Sequence, residues 1–264
     1  GHGAIEVAKA ARSAGAHWLG VAFTDEALAL RSAGDSGRLL AWLLVPGDQV
    51  RECIAVDVDL SASAPWAISE IAAAGRELGR IPRVHLAIDT GLGREGAVDD
   101  GIDALLQSAV VAQRDGDIDV VGMWSHMASA DVPGDSSVDA QHATFLKVVA
   151  KAKAMGLQPQ HVHIANSAAG LTRKDMHHSL VRFGIVTYGV TPASEMGDEV
   201  SLGLHPVMSM VARLALVTKV HAGQGVSYGL SWRAPRETTL GLVPVGYGDG
   251  VPRHGSNVGL EVMI

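Results

Sequence analysis

The sequence is poor in cysteine, in basic runs and in long apolar stretches, and each shortage excludes a class of protein. A single cysteine, Cys53, among 264 residues rules out a framework of intrachain disulfides, so we expect it to fill the core. The net charge of −7, without runs rich in Lys and Arg, argues against nucleic acid as a partner. No apolar stretch is long enough to cross a membrane and no signal peptide is recognisable, so we expect a cytoplasmic protein.

Glycine, in contrast, is plentiful, and its 31 residues suit a chain with many turns between strands and helices. Short β-branched runs alternate with alanine-rich helical stretches, and the strand-like runs are apolar almost throughout. This pattern is typical of parallel strands buried on both faces. A doubly wound open sheet fits it as well, but the number of βα units favours an α/β fold of the (β/α)8 TIM-barrel type.

The texture of the sequence changes after about Pro192. From Val207 onward, strand-like runs are separated by Gly-rich turns, with no long helical pattern between them. We therefore predict two domains, an α/β barrel over residues 1–196 and a smaller, mostly β domain over residues 197–264.

Polar residues follow several predicted strands at their carboxyl ends, where barrel enzymes carry their chemistry. The segments concerned follow or end the predicted strands 83–89, 120–125, 161–166 and 180–186, and they contain Arg94, His126, Ser167 and Arg182.

Arg182 and Ser167 each admit two interpretations. An arginine at a strand end is more often a surface ion-pair residue, but Gly184 and Ile185 follow it, and backbone N–H groups of such turns bind phosphate. Ser167 offers a further phosphate donor, and it can at the same time cap the helix that follows. His126 is equally compatible with a barrel-end histidine whose hydrogen bonds are satisfied by the backbone.

Six short motifs occur together and in a fixed order, and their combination is far more specific than any one of them. With them the chain resembles alanine racemase, a pyridoxal-phosphate enzyme of fold type III, from Gly1-His2-Gly3 to Glu261-Val262-Met263-Ile264. The six motifs are Asp89-Thr90-Gly91-Leu92-Gly93-Arg94, Trp124-Ser125-His126, His163-Ile164-Ala165-Asn166-Ser167, Val181-Arg182-Phe183-Gly184-Ile185, Val226-Ser227-Tyr228-Gly229 and Pro244-Val245-Gly246-Tyr247-Gly248-Asp249-Gly250.

The resemblance implies where pyridoxal 5'-phosphate binds. Ser167, Gly184 and Ile185 would hold its phosphate, Arg182 would face its pyridine nitrogen, and His126 would pack against its ring and help to orient Arg182. An arginine cannot realistically give up its proton, so it donates to an unprotonated ring nitrogen and keeps the cofactor a shallow electron sink. An unprotonated ring nitrogen suits a reaction that consists of a single proton exchange.

The resemblance also implies how substrate is handled. Arg94 would bond the cofactor's phenolic oxygen and approach the carboxylate of alanine, and Tyr247 would line the substrate entry. Tyr228 would reach in from the partner subunit of a homodimer with shared active sites and act as one acid/base group. Racemisation removes a proton on one face and returns one on the other, so it needs two such groups. Without the resemblance, Tyr228 would be interpreted as a half-packed strand tyrosine.

Two departures from the family pattern bear on activity. The family's covalent lysine and first barrel strand would precede Gly1, and a later substrate segment would follow Ile264, so we expect a fragment that is inactive alone. The second departure is Ala87, where the family often has a carbamylated lysine whose charge steadies the arginine. We expect chloride near Ala87 and Arg94 to fill that role, with Asp89 as an internal alternative.

The sequence leaves other functions open. One alternative is a racemase of the same fold with a broader preference, for example for serine or basic amino acids, to which only Ala87 points. Another is a non-catalytic pyridoxal-phosphate carrier, although single-domain carriers lack a β domain. We predict no metal site, because His161 and His163 alternate on a strand without a nearby acidic or cysteine partner. The implied physiological role is the supply of D-alanine for the bacterial cell wall.

Overall fold

The computed structural model describes residues 2–255, so Gly1 and the closing motif at 261–264 lie outside the described residues. The chain divides into two compact units, one ending at Val207 and the other beginning at Met208. Each unit has its own sheets.

The first unit contains one parallel sheet of six strands, which lie in the same order as in the chain. A doubly wound sheet reverses its strand order part-way, whereas a barrel keeps adding each new strand on the same side. The sequential order therefore confirms the predicted barrel-type fold. The strands are β1 (Trp18–Val21), β2 (Arg38–Ala41), β3 (Asp59–Ala62), β4 (Arg83–Ala87), β5 (Asp119–Trp124) and β6 (His161–His163).

Helices cover the outside of this sheet and begin with recognisable signals. Pro65 starts the helix Pro65–Leu78, and Gly79, in the left-handed conformation, ends it, as proline and glycine do at the two ends of helices. Asp135 caps the helix Ser136–Ala154, because its carboxylate accepts a hydrogen bond from the N–H of Ser137. The helices are α1 (Ala4–Ser13), α2 (Thr24–Ser32), α3 (Val50–Ala55), α4 (Pro65–Leu78), α5 (Asp100–Arg114), α6 (Ser136–Ala154) and α7 (Ser167–Thr172).

The six-stranded sheet buries apolar side chains on its helix-facing side and polar side chains in the barrel interior. Leu39, Leu60 and Leu86 are fully buried, and each contributes about 1.5–3 kcal/mol through the surface it removes from water. Cys53 lies in the same core, as predicted. A row of polar side chains is buried as well, and it comprises Asp59, Ser61, His85, Ser125 and His163. Buried polar groups need hydrogen-bond partners, so this row must form a connected network.

The predicted strand at 180–186 is not a strand, and this expectation was wrong. The segment runs beside β6 and donates from the N–H groups of Ser179 and Arg182 to the carbonyls of Val162 and Ala165. The hydroxyl oxygen of Ser179, instead of a backbone carbonyl, accepts from the N–H of Val162, so no regular ladder forms. Beyond Gly184 the chain turns into a short 3-10 helix, Ile185–Tyr188.

The second unit is built from short antiparallel pairs. Strand β7 (Leu216–Val220) pairs with β10 (Thr238–Leu242), and β8 (Gly225–Val226) pairs with β9 (Trp232–Arg233). The described part of this unit contains single-turn 3-10 helices and no α-helix, in agreement with a mostly β domain. Within residues 2–255, no helix combines the length and the apolar character that a membrane span requires.

Candidate active site

Arg182 lies at the carboxyl ends of β5 and β6, where four acceptors surround its guanidinium. Nη1 donates to Nδ1 of His163 at 2.8 Å, and Nη2 donates to the carbonyls of Ser125 at 2.6 Å and Ile164 at 3.3 Å. Desolvation by burial lowers the pKa of Arg182 to about 10, which leaves it a cation at neutral pH. The Nε–H of Arg182 has no acceptor among the residues that the structure describes, so it is available to a ligand.

His126 lies beside this guanidinium. Its Nδ1 is 3.3 Å from Nη2 of Arg182. Burial, together with the positive charges of Arg182 and Arg94, lowers the pKa of His126 to about 4, so the ring is neutral at pH 7. Because an arginine can only donate, Nδ1 accepts and Nε2 carries the proton. His126 therefore presents an N–H on the side facing away from Arg182.

Ser167 and Gly184 meet beside this arginine. The N–H of Gly184 donates to the hydroxyl oxygen of Ser167 at 2.9 Å. The 3-10 helix starts at Ile185, and the N–H groups of Ile185 and Val186 have no acceptor within the described part of the chain. Amides of this kind at the start of a helical turn bind anions.

The interpretation of Ser167 as a helix cap is wrong. Asn166 is the N-cap of α7, and its side-chain oxygen accepts from the N–H of Ala169 at 3.1 Å. Ser167 is the first residue inside the helix, and its hydroxyl points instead to Gly184. Because the hydroxyl of Ser167 does not cap the helix, it can contact a bound group.

Arg94 is carried by a loop that Asp89 organises. The carboxylate of Asp89 accepts from the backbone N–H groups of four successive residues, 91–94, at 2.7–3.2 Å. Gly96 closes the loop at φ +110°, and a Cβ there would lie 2.6 Å from the carbonyl carbon of Ile88. The guanidinium of Arg94 lies 5.0 Å from the ring centre of Trp42, a cation–π distance.

Glu95 is the anionic partner of Arg94, and the sequence analysis did not identify it. Its two carboxylate oxygens accept from Nε and from Nη2 of Arg94, the second bond being 2.9 Å. These hydrogen bonds are the main reason why the pKa of Arg94 is raised. The carboxylate of Asp89 is engaged by the loop amides, whereas Ala87 is a buried apolar residue at the end of β4.

Tyr228 is presented to solvent by a strained turn. It is 94% exposed, and Ser227, Gly229 and Leu230 around it all have positive φ values. Such a backbone is costly for Ser227 and Leu230, and strain of this kind is concentrated at functional sites. The phenol therefore makes few contacts within its own unit.

Tyr247 is also exposed in the second unit, at 71%. It begins a 3-10 turn in which the N–H of Gly246 donates to the carboxylate of Asp249 at 3.0 Å. The guanidinium of Arg253 lies 5.8 Å from the centre of the Tyr247 ring. The structure thus brings Arg182, His126, Ser167 and Gly184 together in the first unit and places Tyr228 and Tyr247 in the second.

Both units match the two halves of one enzyme family. Residues 1–192 match the family profile described as alanine racemase, N-terminal domain, and residues 207–264 match the profile of the C-terminal domain. The chain belongs to the alanine racemase family. The alanine racemase of Frankia casuarinae is 48% identical over 257 residues, which cover 97% of this chain and 67% of that protein.

Solved structures of this family agree with the fold. The alanine racemase from a D-cycloserine-producing Streptomyces lavendulae superposes with a TM-score of 0.92 at 48% identity, covering 98% of this chain and 68% of that one. A histidine racemase from Leuconostoc mesenteroides superposes with a TM-score of 0.78 at 25% identity, covering 97% of this chain and 68% of that one. The chain therefore spans about two thirds of the length of these alanine racemase relatives.

Other polar residues of this alanine racemase site were missed by the sequence analysis. His163 contacts Arg182, and His85 and Asp59 lie behind His163 in the barrel interior. His163 begins one of the six motifs and was weighed as a metal ligand, but no contact with Arg182 was predicted for it. Within the described residues, no group of three or more His, Cys, Asp or Glu side chains could hold a metal ion.

Proposed function

We propose that the complete protein is a pyridoxal-phosphate-dependent alanine racemase, which interconverts L- and D-alanine. The observation that carries this proposal is Arg182, a cation fixed by His163, Ser125 and Ile164 whose Nε–H remains available. A donor of this kind fits an unprotonated pyridine nitrogen. The hydroxyl of Ser167 and the free amides of Ile185 and Val186 fit a phosphate beside it.

Each residue then has a defined task. Arg182 donates to the ring nitrogen, His126 helps to hold Arg182, and Ser167, Gly184 and Ile185 bind the phosphate. When bound, pyridoxal phosphate supplies the electron sink that acidifies the α-proton of the amino acid.

Two further residues act on the amino acid, and Tyr247 lines its entry. Arg94 binds the carboxylate of alanine and the phenolic oxygen of the cofactor. Tyr228, contributed by the partner subunit of a homodimer, exchanges the α-proton at its phenolic oxygen on one face, and a lysine outside the 264 residues does so on the other. We place this reaction in the cytoplasm, where it supplies D-alanine for the cell wall.

The proposal is tested by measuring L- to D-alanine exchange with the full-length protein and added pyridoxal phosphate. Tyr228→Phe is expected to lower kcat at least about 100-fold, because it removes one of the two acid/base groups. Tyr228 is 94% exposed, so loss of folding would not explain the result. The matched control is Trp232→Phe in the neighbouring strand β9, which is expected to retain activity. Full activity of Tyr228→Phe would reject this role.

A racemase acting on a larger amino acid is the second candidate, favoured by the similarity to a histidine racemase. The same exchange assay with histidine, serine and lysine separates the two candidates. Turnover of one of these, without turnover of alanine, would replace the first proposal by the second.

Glu95 leads to a prediction about the anion at Arg94. Glu95→Gln keeps the shape of the side chain but removes its charge, so Arg94 loses its paired anion. We expect KM for alanine to rise about three- to tenfold, the range for a part-exposed charged hydrogen bond of roughly 1 kcal/mol, with kcat little changed.

The test is repeated with chloride replaced by gluconate at constant ionic strength. If Glu95 is the anion that serves Arg94, the wild-type protein is indifferent to chloride, whereas chloride partly restores the Glu95→Gln variant. Loss of wild-type activity without chloride would instead support the chloride ion predicted near Ala87 and Arg94.

A further inference from the structure

Four buried or part-buried side chains form a continuous line of hydrogen bonds through the barrel interior. Nη1 of Arg182 is 2.8 Å from Nδ1 of His163, and Nε2 of His163 is 3.0 Å from Nδ1 of His85. Nε2 of His85 is in turn 3.3 Å from a carboxylate oxygen of Asp59. His163, His85 and Asp59 are 1%, 0% and 0% exposed, so water cannot replace any of these contacts.

The guanidinium of Arg182, at one end of this line, determines which nitrogen of each ring carries the hydrogen. Arg182 can only donate, so Nδ1 of His163 accepts and Nε2 of His163 carries the hydrogen. His163 then donates to Nδ1 of His85, which must have its own hydrogen on Nε2. That hydrogen points at Asp59, which as a carboxylate can only accept. The four groups therefore have one consistent arrangement, in which both rings are neutral and every bond runs from Arg182 towards Asp59.

Burial is consistent with this arrangement of protons. It lowers the pKa of His85, and it lowers that of His163 well below the ordinary value of 6.5, with the positive charge of Arg182 adding to the effect. Two neutral rings between a cation and an anion avoid any uncompensated charge in the barrel interior.

Asp59 is fixed at the opposite end of the strands from Arg182. It is the first residue of β3, and its oxygens accept from Nη2 of Arg38 at 2.5 Å and from Nε of Arg83 at 2.7 Å. Arg38 and Arg83 are likewise the first residues of β2 and β4. Although burial alone would raise the pKa of Asp59, hydrogen bonds from His85 and Arg38 hold it below its usual value.

We propose that Asp59, acting through His85 and His163, is a positioning residue for Arg182. The amino-terminal ends of the barrel strands thereby set the orientation of the guanidinium at their carboxyl ends. This inference rests on the proposed function, in which Arg182 faces the pyridine nitrogen. It adds three residues that touch neither cofactor nor substrate, and it assigns one tautomer, with the hydrogen on Nε2, to both rings.

The first test needs neither cofactor nor activity. The full-length protein is labelled with 15N at histidine, and long-range proton–nitrogen spectra are recorded at pH 7. We expect two buried rings with Nδ1 unprotonated and Nε2 protonated, assigned by their loss in His85→Gln and in His163→Gln. An imidazolium, or a ring with its hydrogen on Nδ1, at either position would overturn the proposal.

The second test removes the anion. Asp59→Asn retains the shape of the side chain but lets an amide face His85, so the single direction of hydrogen bonding is lost. We expect the 15N shifts of both rings to move and kcat for alanine racemisation to fall about tenfold with KM unchanged, as is usual for residues that act behind a site. His85→Asn, which keeps an acceptor for His163 but cannot reach Asp59, is the second variant if Asp59→Asn does not fold.

His161 offers a matched control. It lies on β6 like His163, and its ring is stacked 6.0 Å from that of His85, but it has no hydrogen bond to the line. We expect His161→Asn to leave the tautomers and kcat as they are. If Asp59→Asn and His161→Asn have equal effects, the contribution of Asp59 is only packing and the proposal fails. If the tautomers are as expected but the full-length protein racemises no amino acid, the proposed function fails and the hydrogen-bond line stands.

Discussion

Lowering the pH from 7 to 5 is expected to destabilise the barrel unit, because its buried histidines bind protons more readily in the unfolded chain than in the folded protein. His85, His126 and His163 all have pKa values lowered chiefly by burial, that of His126 to about 4. In the unfolded chain each binds a proton below its ordinary pKa of 6.5, whereas in the folded protein each binds its proton only at a lower pH, which for His126 is about 4. One proton bound only by the unfolded chain changes the unfolding free energy by up to about 1.36 kcal/mol per pH unit, so His126 alone contributes about that slope between pH 6 and 5, and the other buried histidines add to it in the same direction.

The sign follows from the direction of these shifts. A histidine with a depressed folded pKa contributes stability above pH 6.5, and this stability is lost as the pH falls towards the folded pKa. The carboxylates with lowered pKa values, such as Asp35 and Asp59, lose their contribution to stability only below about pH 4. The change in unfolding free energy between pH 6.5 and 5 therefore reports on the histidines.

Urea unfolding at pH 7.0, 6.0 and 5.0, followed by tryptophan fluorescence, measures this loss. Four of the five tryptophans lie in the first unit, so the signal reports mainly on the barrel. His126→Gln should reduce the slope by about 1 kcal/mol per pH unit, while His221→Gln, whose side chain is 90% exposed, should leave it unchanged. A wild-type midpoint that is equal at pH 7.0 and 5.0 would contradict the assignment of neutral buried rings.

The position of the site could be predicted from the sequence because barrel topology fixes it. Strand-like runs followed by glycine and polar residues place Arg94, His126, Ser167 and Arg182 at one end of the sheet, whichever residues begin each strand. The family was identified from the six motifs together, because composition contains no information on the order of motifs along the chain.

The interior hydrogen-bond line could not be predicted, for a physical reason. Polar and apolar residues do alternate in β3, in β4 and in β6, but alternation alone does not show which polar side chains of different strands meet. Which of them meet depends on where each strand begins and on the register of the sheet, and β3 begins only at Asp59. Glu95, in contrast, stands next to Arg94 in the sequence, and a carboxylate beside a candidate arginine was an available signal.

Gly122→Ala is expected to be among the most damaging single substitutions in the barrel. Gly122 lies on β5 directly opposite His85 of β4. A Cβ at this position would lie 2.5 Å from Cε1 of His85 and closer still to Nδ1. The ring cannot move away, because His163 and Asp59 hold it on both sides. We expect a loss of about 3 kcal/mol in unfolding free energy, the upper part of the usual range for an overfilled core.

A double-mutant cycle shows whether the His85 ring is the cause. Gly122→Ala is made in the wild-type protein and again in a His85→Ala background, and urea unfolding at pH 7.0 gives the four free energies. If the ring is what the new methyl group meets, the substitution costs about 3 kcal/mol in the first background and under about 1 kcal/mol in the second. Gly101→Ala is the matched control, because nothing lies within 4 Å of a Cβ there and the position is inside α5. It should be neutral or stabilising by up to about 1 kcal/mol. Equal costs of Gly122→Ala in the two backgrounds would mean that the strand backbone, and not the imidazole of His85, requires glycine at this position.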